Sequence, residues 1–296
     1  MEIFDLANLE DAFSSTTTLE LIEEANTTRE LPRPYLGMSQ LGDECWRKLF
    51  LYFRWTAKSE ISGRVNRIFQ TGHGAEEFMV KDLESVGVEC SYTLNNQLEL
   101  NEFHGHISGH SDGVGIGIPE APKTKHLLEF KTSGDKYFKQ LVKSESVETT
   151  KPVHYAQMVL YMYKMELTRA LYLVYNKNDS SYYMERINEN TQFAKMLIEK
   201  GKKIVGSDDL GEFRKVGSGK PSWFECRFCN FSDVCHGIIE AEKNCRTCKY
   251  SVVIENAEWG CNKHEQVIPL ETQKGCYNCH EYLESLKIDN IRGLKL

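Results

Sequence analysis

Long hydrophobic runs are missing from this 296-residue sequence. Its apolar stretches are of the order of Met158–Tyr163 and Leu171–Tyr175, far below the ~20 residues a membrane-spanning helix needs. No membrane segment is therefore expected. The first residues, MEIFDLANLEDAF, carry neither the basic nor the apolar region of a secretory signal, so the expected compartment is inside the cell. Proline is scarce at 7 residues, glycine is ordinary at 21, and there is no internal repeat or low-complexity tract. Collagen-like, fibrous and disordered chains are thereby excluded. With 41% hydrophobic and 27% charged residues, the chain is long enough for one large domain or a domain with a small appendage. A formal charge of −7 argues against a general nucleic-acid coat but leaves room for a local basic groove.

Cysteine, by contrast, is abundant: ten residues, of which Cys45 and Cys90 are isolated and eight fall between Cys226 and Cys279. Inside a cell thiols stay reduced, so metal binding is a better reading than a disulfide framework.

Residues 1–35 read as a polar, peripheral arm with a short helix over Leu19–Ala25. From Gln40 a helical segment has an apolar face (Leu41, Leu49, Phe53) and a basic one (Arg47, Lys48, Arg54). A longer helix follows over Arg64–Ser85, with Ile68, Phe69, Phe78, Met79 and Leu83 as its apolar stripe. The period then changes to alternation, predicting strands over 90–100, 105–118 and 126–131. A helix from Pro152 to Met165, two β-rich runs (ALYLVYNK and SYYMERI) and a helix over Asn190–Val205 complete the order. That order predicts an α/β fold, a mixed β-sheet flanked by helices. The composition turns cysteine-rich and irregular near Trp223.

Glu129 and Lys131 lie two apart on a predicted strand and so share a face with Leu127. Exposed Glu–Lys pairs are common and mostly inert. Here, however, Asp112 stands a hairpin's distance upstream, so two strands can bring two carboxylates to one divalent ion, with a lysine beside the attacking water. Gln157 and Tyr161 are i and i+4 on one helix face, extended by His154 and Lys164. Glu76 follows a glycine pair, Gly72 and Gly74, whose cost inside a helix asks for a close approach. A rival metal reading takes His104, His106, His110 and Asp112 as one strand face holding zinc.

In this order and spacing, Glu76, Asp112, Glu129-Phe130-Lys131 and Gln157-Met-Val-Leu-Tyr161 resemble the PD-(D/E)XK nucleases of the RecB type. That family includes phage recombination exonucleases and CRISPR-associated iron–sulfur exonucleases, and the resemblance spans roughly residues 36–236. It implies a restriction-endonuclease-like fold in which Asp112, Glu129 and the Phe130 carbonyl bind Mg²⁺ or Mn²⁺. Lys131 would position the water, Gln157 and Tyr161 would contact the substrate strand, and Glu76 would complete the metal site, with His73 as its competitor. Arg47, Lys48, Arg54, Arg64, Arg67, Lys136 and Lys139 would line a basic groove, with tyrosines available to stack on bases.

Cys226-x2-Cys229-x5-Cys235, set among Trp223, Phe224, Phe228 and Phe231, supplies three thiolates; either an iron–sulfur cluster or zinc needs a fourth ligand. The resemblance implies a [4Fe–4S] cluster with Cys45 as that ligand. Cys90 fits no pattern and reads as structural. Further on, Cys245-x2-Cys248, Cys261-x2-His264 and Cys276-x2-Cys279-His280 form a structural-zinc pattern. Cys245, Cys248, Cys261 and Cys276 are the expected Zn²⁺ ligands, with Cys279, His264 and His280 in reserve. The expected division is thus an arm (1–35), a nuclease domain closed by the cluster (36–240) and a zinc-binding tail (241–296). The implied function is a metal-dependent DNA exonuclease in recombination or DNA processing, acting on single strands or duplex ends. A recombination partner protein and the cytoplasm of a bacterial or phage-infected cell go with that reading. A DNA endonuclease with the same core and a non-catalytic DNA-binding iron–sulfur module are the alternatives.

Overall fold

The computed structural model describes residues 16–28, 32–58, 60–276 and 279–293; the acidic first stretch of the expected arm, residues 1–15, lies outside them. Helix α1 (Thr18–Ala25) starts on a capping box made by Thr17 and Glu20, which satisfies two orphan amides at once. Strand β1 (Leu36–Gly37) leads to α2 (Trp46–Phe53), and α3 (Gly63–Ser85) is the longest helix described. Strands β2 (Glu89–Ser91), β3 (Glu99–Glu102), β4 (Ile107–His110), β5 (Val114–Ile116) and β6 (His126–Ser133) follow. Next come α4 (Asp135–Ser144), α5 (Val147–Thr150), α6 (Pro152–Lys164), β7 (Arg169–Asn176), β8 (Tyr182–Asn188) and α7 (Thr191–Gly206). The cysteine-rich part holds α8 (Phe224–Arg227), α9 (Ser232–Cys235), β9 (Ser251–Val253), β10 (Trp259–Cys261), β11 (Gln266–Ile268), α10 (Leu270–Gln273) and α11 (Ile288–Gly293).

A five-stranded sheet in the order β2-β5-β6-β7-β8 forms the frame, with β6 and β7 parallel and the other neighbours antiparallel. Alternation along the strands builds two cores. Leu127, Ala170, Tyr172 and Val174 join Ala156, Met158 and Leu160 of α6 on one face. Leu128, Phe130, Leu171 and Leu173 meet Ala75, Met79 and Val80 of α3 on the other. The fold is thus a mixed sheet with helices on both faces, as the element order predicted. Cys90 packs at the margin of the α3-side core. No helix among the described residues is long and apolar enough to cross a membrane.

Four expectations need correction. The strand expected over 105–118 is two strands in two sheets: β4 pairs with β1 and β3, β5 with β2 and β6, and Asp112 falls in the gap. Positive φ at Phe103, His104 and Gly105 also breaks the approach to β4, so His104, His106 and His110 do not share a face; His106 is buried and His110 exposed. Ile68 and Phe69 are exposed, because the first half of α3 extends beyond the sheet, and Gly72 and Gly74 face open space. Helix α4 was not foreseen, although its buried Phe138 and Leu141 are spaced i, i+3 among lysines. Finally, Arg47 and Arg54 are buried and contribute to no groove.

Those arginines tie the cysteine-rich part to the sheet domain. Arg54 donates to the carbonyls of Ser207 at 2.7 Å and Arg246 at 3.1 Å. Arg246, fully buried, donates to Gln273 at 2.9 Å and to the carbonyls of Phe53 and Pro34 at 3.2 and 3.0 Å, with its guanidinium 3.8 Å from the Trp55 ring centroid. Burial, helped by the charge of Arg54, pushes its pKa down to about 9. Trp259 of β10 completes the stack and is itself fully buried. Truncation strands three acceptors and opens a cavity, so Arg246→Ala is expected to cost about 3 kcal/mol or more in urea unfolding. A loss below about 1 kcal/mol would show that the network does not hold the two parts together.

Candidate active site

Strand β6 runs past the end of β5. The three-residue β5 pairs only with His126 and Leu127, so from Glu129 onward one edge of β6 has lost its neighbour. The chain before β5 fills the vacancy with a side chain: Gly113 still accepts the Leu128 amide, and then Asp112 Oδ2 accepts the Phe130 amide at 2.9 Å. A residue's N–H and C=O point to the same side of a strand. The Phe130 carbonyl therefore opens toward Asp112, while its ring packs on α3. Gly113 makes the departure with φ +143°, and a Cβ there would sit 2.5 Å from Thr93 Cγ2.

Glu129 and Lys131 project from the α6 face of β6. Glu129 has no exposed surface; its Oε2 accepts from Gln157 Nε2 at 3.0 Å, and its Oε1 touches the Lys131 ammonium without a hydrogen bond of its own. Lys131 Nζ also donates to Phe130 O at 3.0 Å and lies 3.7 Å from Asp112 Oδ2. Three oxygens, two of them from carboxylates, thus surround one cation. Burial pushes the Glu129 carboxyl up to about 8; Lys131 opposes the rise, and Asp112 and Glu76 add to it. Burial also works against the Lys131 charge, but Glu129 and Asp112 outweigh it and hold the ammonium above its ordinary range.

Glu76, half-buried on α3, reaches this cluster from the opposite face of the sheet. Burial raises its pKa first and the Asp112 charge second, with Lys131 and His73 lowering it. His73 itself is exposed. Tyr161, one helical turn after Gln157, is buried. Its hydroxyl is held above its usual range by burial and then by Glu129 and Asp112. Of the six expected catalytic residues, Asp112, Glu129, Lys131 and Gln157 are linked by ion pairs or a hydrogen bond, while Glu76 and Tyr161 are near enough to feel their charges. Two neighbours matter as well: His154 Nδ1 and Tyr172 Oη are 2.7 Å apart, and Tyr172 is the β7 partner of Glu129. Burial, then the charges of Lys131 and Lys151, push His154 down to about 3, which keeps it neutral. Tyr172 was missed because the parallel register that sets it beside Glu129 leaves no mark in either strand's sequence.

Cys45, Cys226, Cys229 and Cys235 line one cavity of about 340 Å³, closed on another side by Pro152 and Val153 of α6. Lys48 N–H donates to Cys45 Sγ at 3.4 Å, and Arg47 Nε to Cys235 Sγ at 3.4 Å. Burial pushes the Cys45 thiol up to about 11. In the tail, Cys276 Sγ is 3.5 Å from Cys279 Sγ, which is 3.2 Å from His264 Nε2. The Cys245 thiol is pushed up by burial, opposed by a hydrogen bond with Cys276, with Cys248, Cys261 and Cys279 close enough to add to the rise. His280 bonds Thr247 instead, at 3.1 Å. Among the described residues, no three His, Cys, Asp or Glu side chains are arranged as a metal site.

No family model matches the chain, and no curated protein does. Among solved structures, LHK-Exo in complex with dAMP aligns at 17% identity and a TM-score of 0.43, over 58% of this chain and 86% of that one. The alkaline exonuclease LHK-Exo from Laribacter hongkongensis aligns at 16% and 0.44, over 62% and 90%. SSO0001 aligns at 15% and 0.39, over 77% and 92%. At these identities and scores the likenesses assign neither family nor activity to this chain.

The position of Asp112 depends on the backbone of Gly113. Gly113→Ala adds both left-handed strain and a clash with Thr93, so it is expected to lower unfolding stability by about 1–3 kcal/mol. Urea denaturation measures this, and an unchanged midpoint would mean that the departure from the sheet is not strained.

Proposed function

We propose that this protein is a metal-dependent nuclease of the PD-(D/E)XK type that hydrolyses phosphodiester bonds in DNA, working as an exonuclease in recombination or DNA processing. The observation that carries the reading is the convergence of Asp112 Oδ2, Glu129 Oε1 and Phe130 O on the Lys131 ammonium. An all-oxygen donor set around a cationic point suits a hard divalent ion such as Mg²⁺ or Mn²⁺. Asp112, Glu129 and the Phe130 carbonyl would hold it, with Glu76 approaching from α3. Bound there, the ion supplies charge neutralisation at the phosphate and a more acidic water.

The remaining roles belong to the protein. Gln157 fixes one carboxylate oxygen of Glu129 and so orients the other. Lys131, kept protonated by its two carboxylates, offers a fixed positive charge where a phosphate oxygen or an attacking water must sit. Tyr161, neutral and adjacent, supplies a hydroxyl toward the substrate strand. The preference for exonuclease over endonuclease rests on the family resemblance, as do the cytoplasmic location and a recombination partner.

The four-cysteine cavity supports the reading that Cys45, Cys226, Cys229 and Cys235 hold a [4Fe–4S] cluster, since four thiols drawn from the two ends of the sheet domain face one space. For the tail the reading remains zinc on Cys245, Cys248, Cys261 and Cys276, with Cys279 and His264 in reserve; its support is the spacing of these residues and the proximity of Cys276 to Cys245 and Cys279.

End-labelled linear DNA and closed circular DNA, incubated with Mg²⁺, Mn²⁺ or EDTA, test the catalytic assignment. Linear DNA is expected to be degraded only with metal, and circles spared. Glu129→Ala and Lys131→Ala should each lose about 10²–10³-fold in rate, and Gln157→Ala about 10–100-fold. Cleavage that survives the first two substitutions would sink the assignment.

Metal analysis of anaerobically purified protein addresses the cysteines. Iron and inorganic sulfide are expected to vanish in Cys229→Ala while zinc stays, and zinc to vanish in Cys248→Ala while iron stays. Zinc bound through Cys229 would overturn the cluster.

A further inference from the structure

The loop that carries Cys226 also carries side chains that the chemistry above leaves unused. Helix α8 is a single turn. Residues i and i+4 lie on one side of such a turn and i+2 on the other. Cys226 accordingly lines the cavity, while Phe224 and Phe228, two residues to either side, point out to solvent with 72% and 70% of their surface exposed. The two rings meet edge to face with centroids 5.4 Å apart, and the Arg227 guanidinium lies 5.8 Å from the Phe228 ring. Just before them, the Trp223 ring is laid on Gly217, where φ is +54° and a Cβ would come within 2.0 Å of the indole. That close approach holds the indole against the loop just before the pair.

Exposed aromatic clusters on a soluble chain mark a binding surface. The charges around this one select the occupant. Arg227 is exposed beside the Phe228 ring and Lys220 is exposed a few residues upstream, while Glu225, also exposed, borders the cavity. Open π-faces beside cations fit unpaired bases and the phosphates that link them. An apolar protein helix would leave the cations unmatched.

We propose that Phe224 and Phe228, flanked by Arg227, form a stacking platform for the unpaired bases of a single-stranded DNA end. This rests on the nuclease reading, and it adds a single-stranded end as the form of DNA recognised.

The test uses the full chain with Glu129→Gln, so that bound DNA is not consumed, and single-stranded oligonucleotides carrying one 2-aminopurine at successive positions. Stacking quenches that base, and quenching is expected at one or two adjacent positions only. Adding Phe224→Ala or Phe228→Ala should abolish it there and weaken binding by about 5- to 100-fold per aromatic. Phe224→Tyr and Phe228→Tyr should restore both, which a folding defect would not allow. Unchanged quenching and affinity in the alanine variants, with cleavage still dependent on Glu129, would overturn the platform alone. An altered oligomeric state with unchanged affinity would assign the face to a second copy and equally end the proposal. Cleavage that persists in Glu129→Gln would instead overturn the catalytic assignment beneath it.

Discussion

A carboxylate removed from water costs several kcal/mol unless charge and hydrogen bonds compensate, and Glu129 is a carboxylate with no exposure at all. Much of the surrounding arrangement answers that cost. Gln157 satisfies one oxygen and Lys131 faces the other, against the opposing charges of Asp112 and Glu76, while Tyr172, the strand partner of Glu129, bonds His154. The compensation is incomplete: the carboxyl is still pushed up to about 8 and Oε1 still lacks a hydrogen bond. The Lys131 ammonium is thus the principal partner of Oε1.

The second constraint is geometric. Had β5 continued alongside β6, the Phe130 amide and carbonyl would have been spent on a ladder and Asp112 would have pointed to one face of the sheet. Ending β5 early and turning the chain at Gly113 substitutes a carboxylate for the missing strand. One residue thereby does two things: it caps the Phe130 amide and delivers charge to the edge where the Phe130 carbonyl emerges.

What the sequence disclosed follows the periods that backbone geometry imposes. Glu129 and Lys131 share a face because a strand repeats every two residues, and Gln157 and Tyr161 share one because a helix nearly repeats every four. The joint cavity of Cys45 with Cys226, Cys229 and Cys235 was reached through the spacing of three thiols and the family resemblance. What was hidden depends on partners distant in sequence. The Glu129–Tyr172 pairing is a matter of register, and the end of β5 is decided by where its neighbours stop. Arg47 and Arg54 looked like a basic helix face, yet they are buried under carbonyls supplied by residues 207–246. Ile68 and Phe69 looked like core, yet the sheet does not extend beneath them. In α2 the expected apolar face is buried and the arginines are buried with it, while in α3 only Ile68 and Phe69 of the expected stripe are exposed and Met79 is buried.

Helix α6 connects these features. Its first turn, Pro152 and Val153, closes the cysteine cavity; its second directs Gln157 to Glu129; its third buries Tyr161 beside the carboxylates. One helix thus contributes a wall to the cysteine cavity at its start and, about a turn later, the amide that satisfies the buried Glu129 carboxylate.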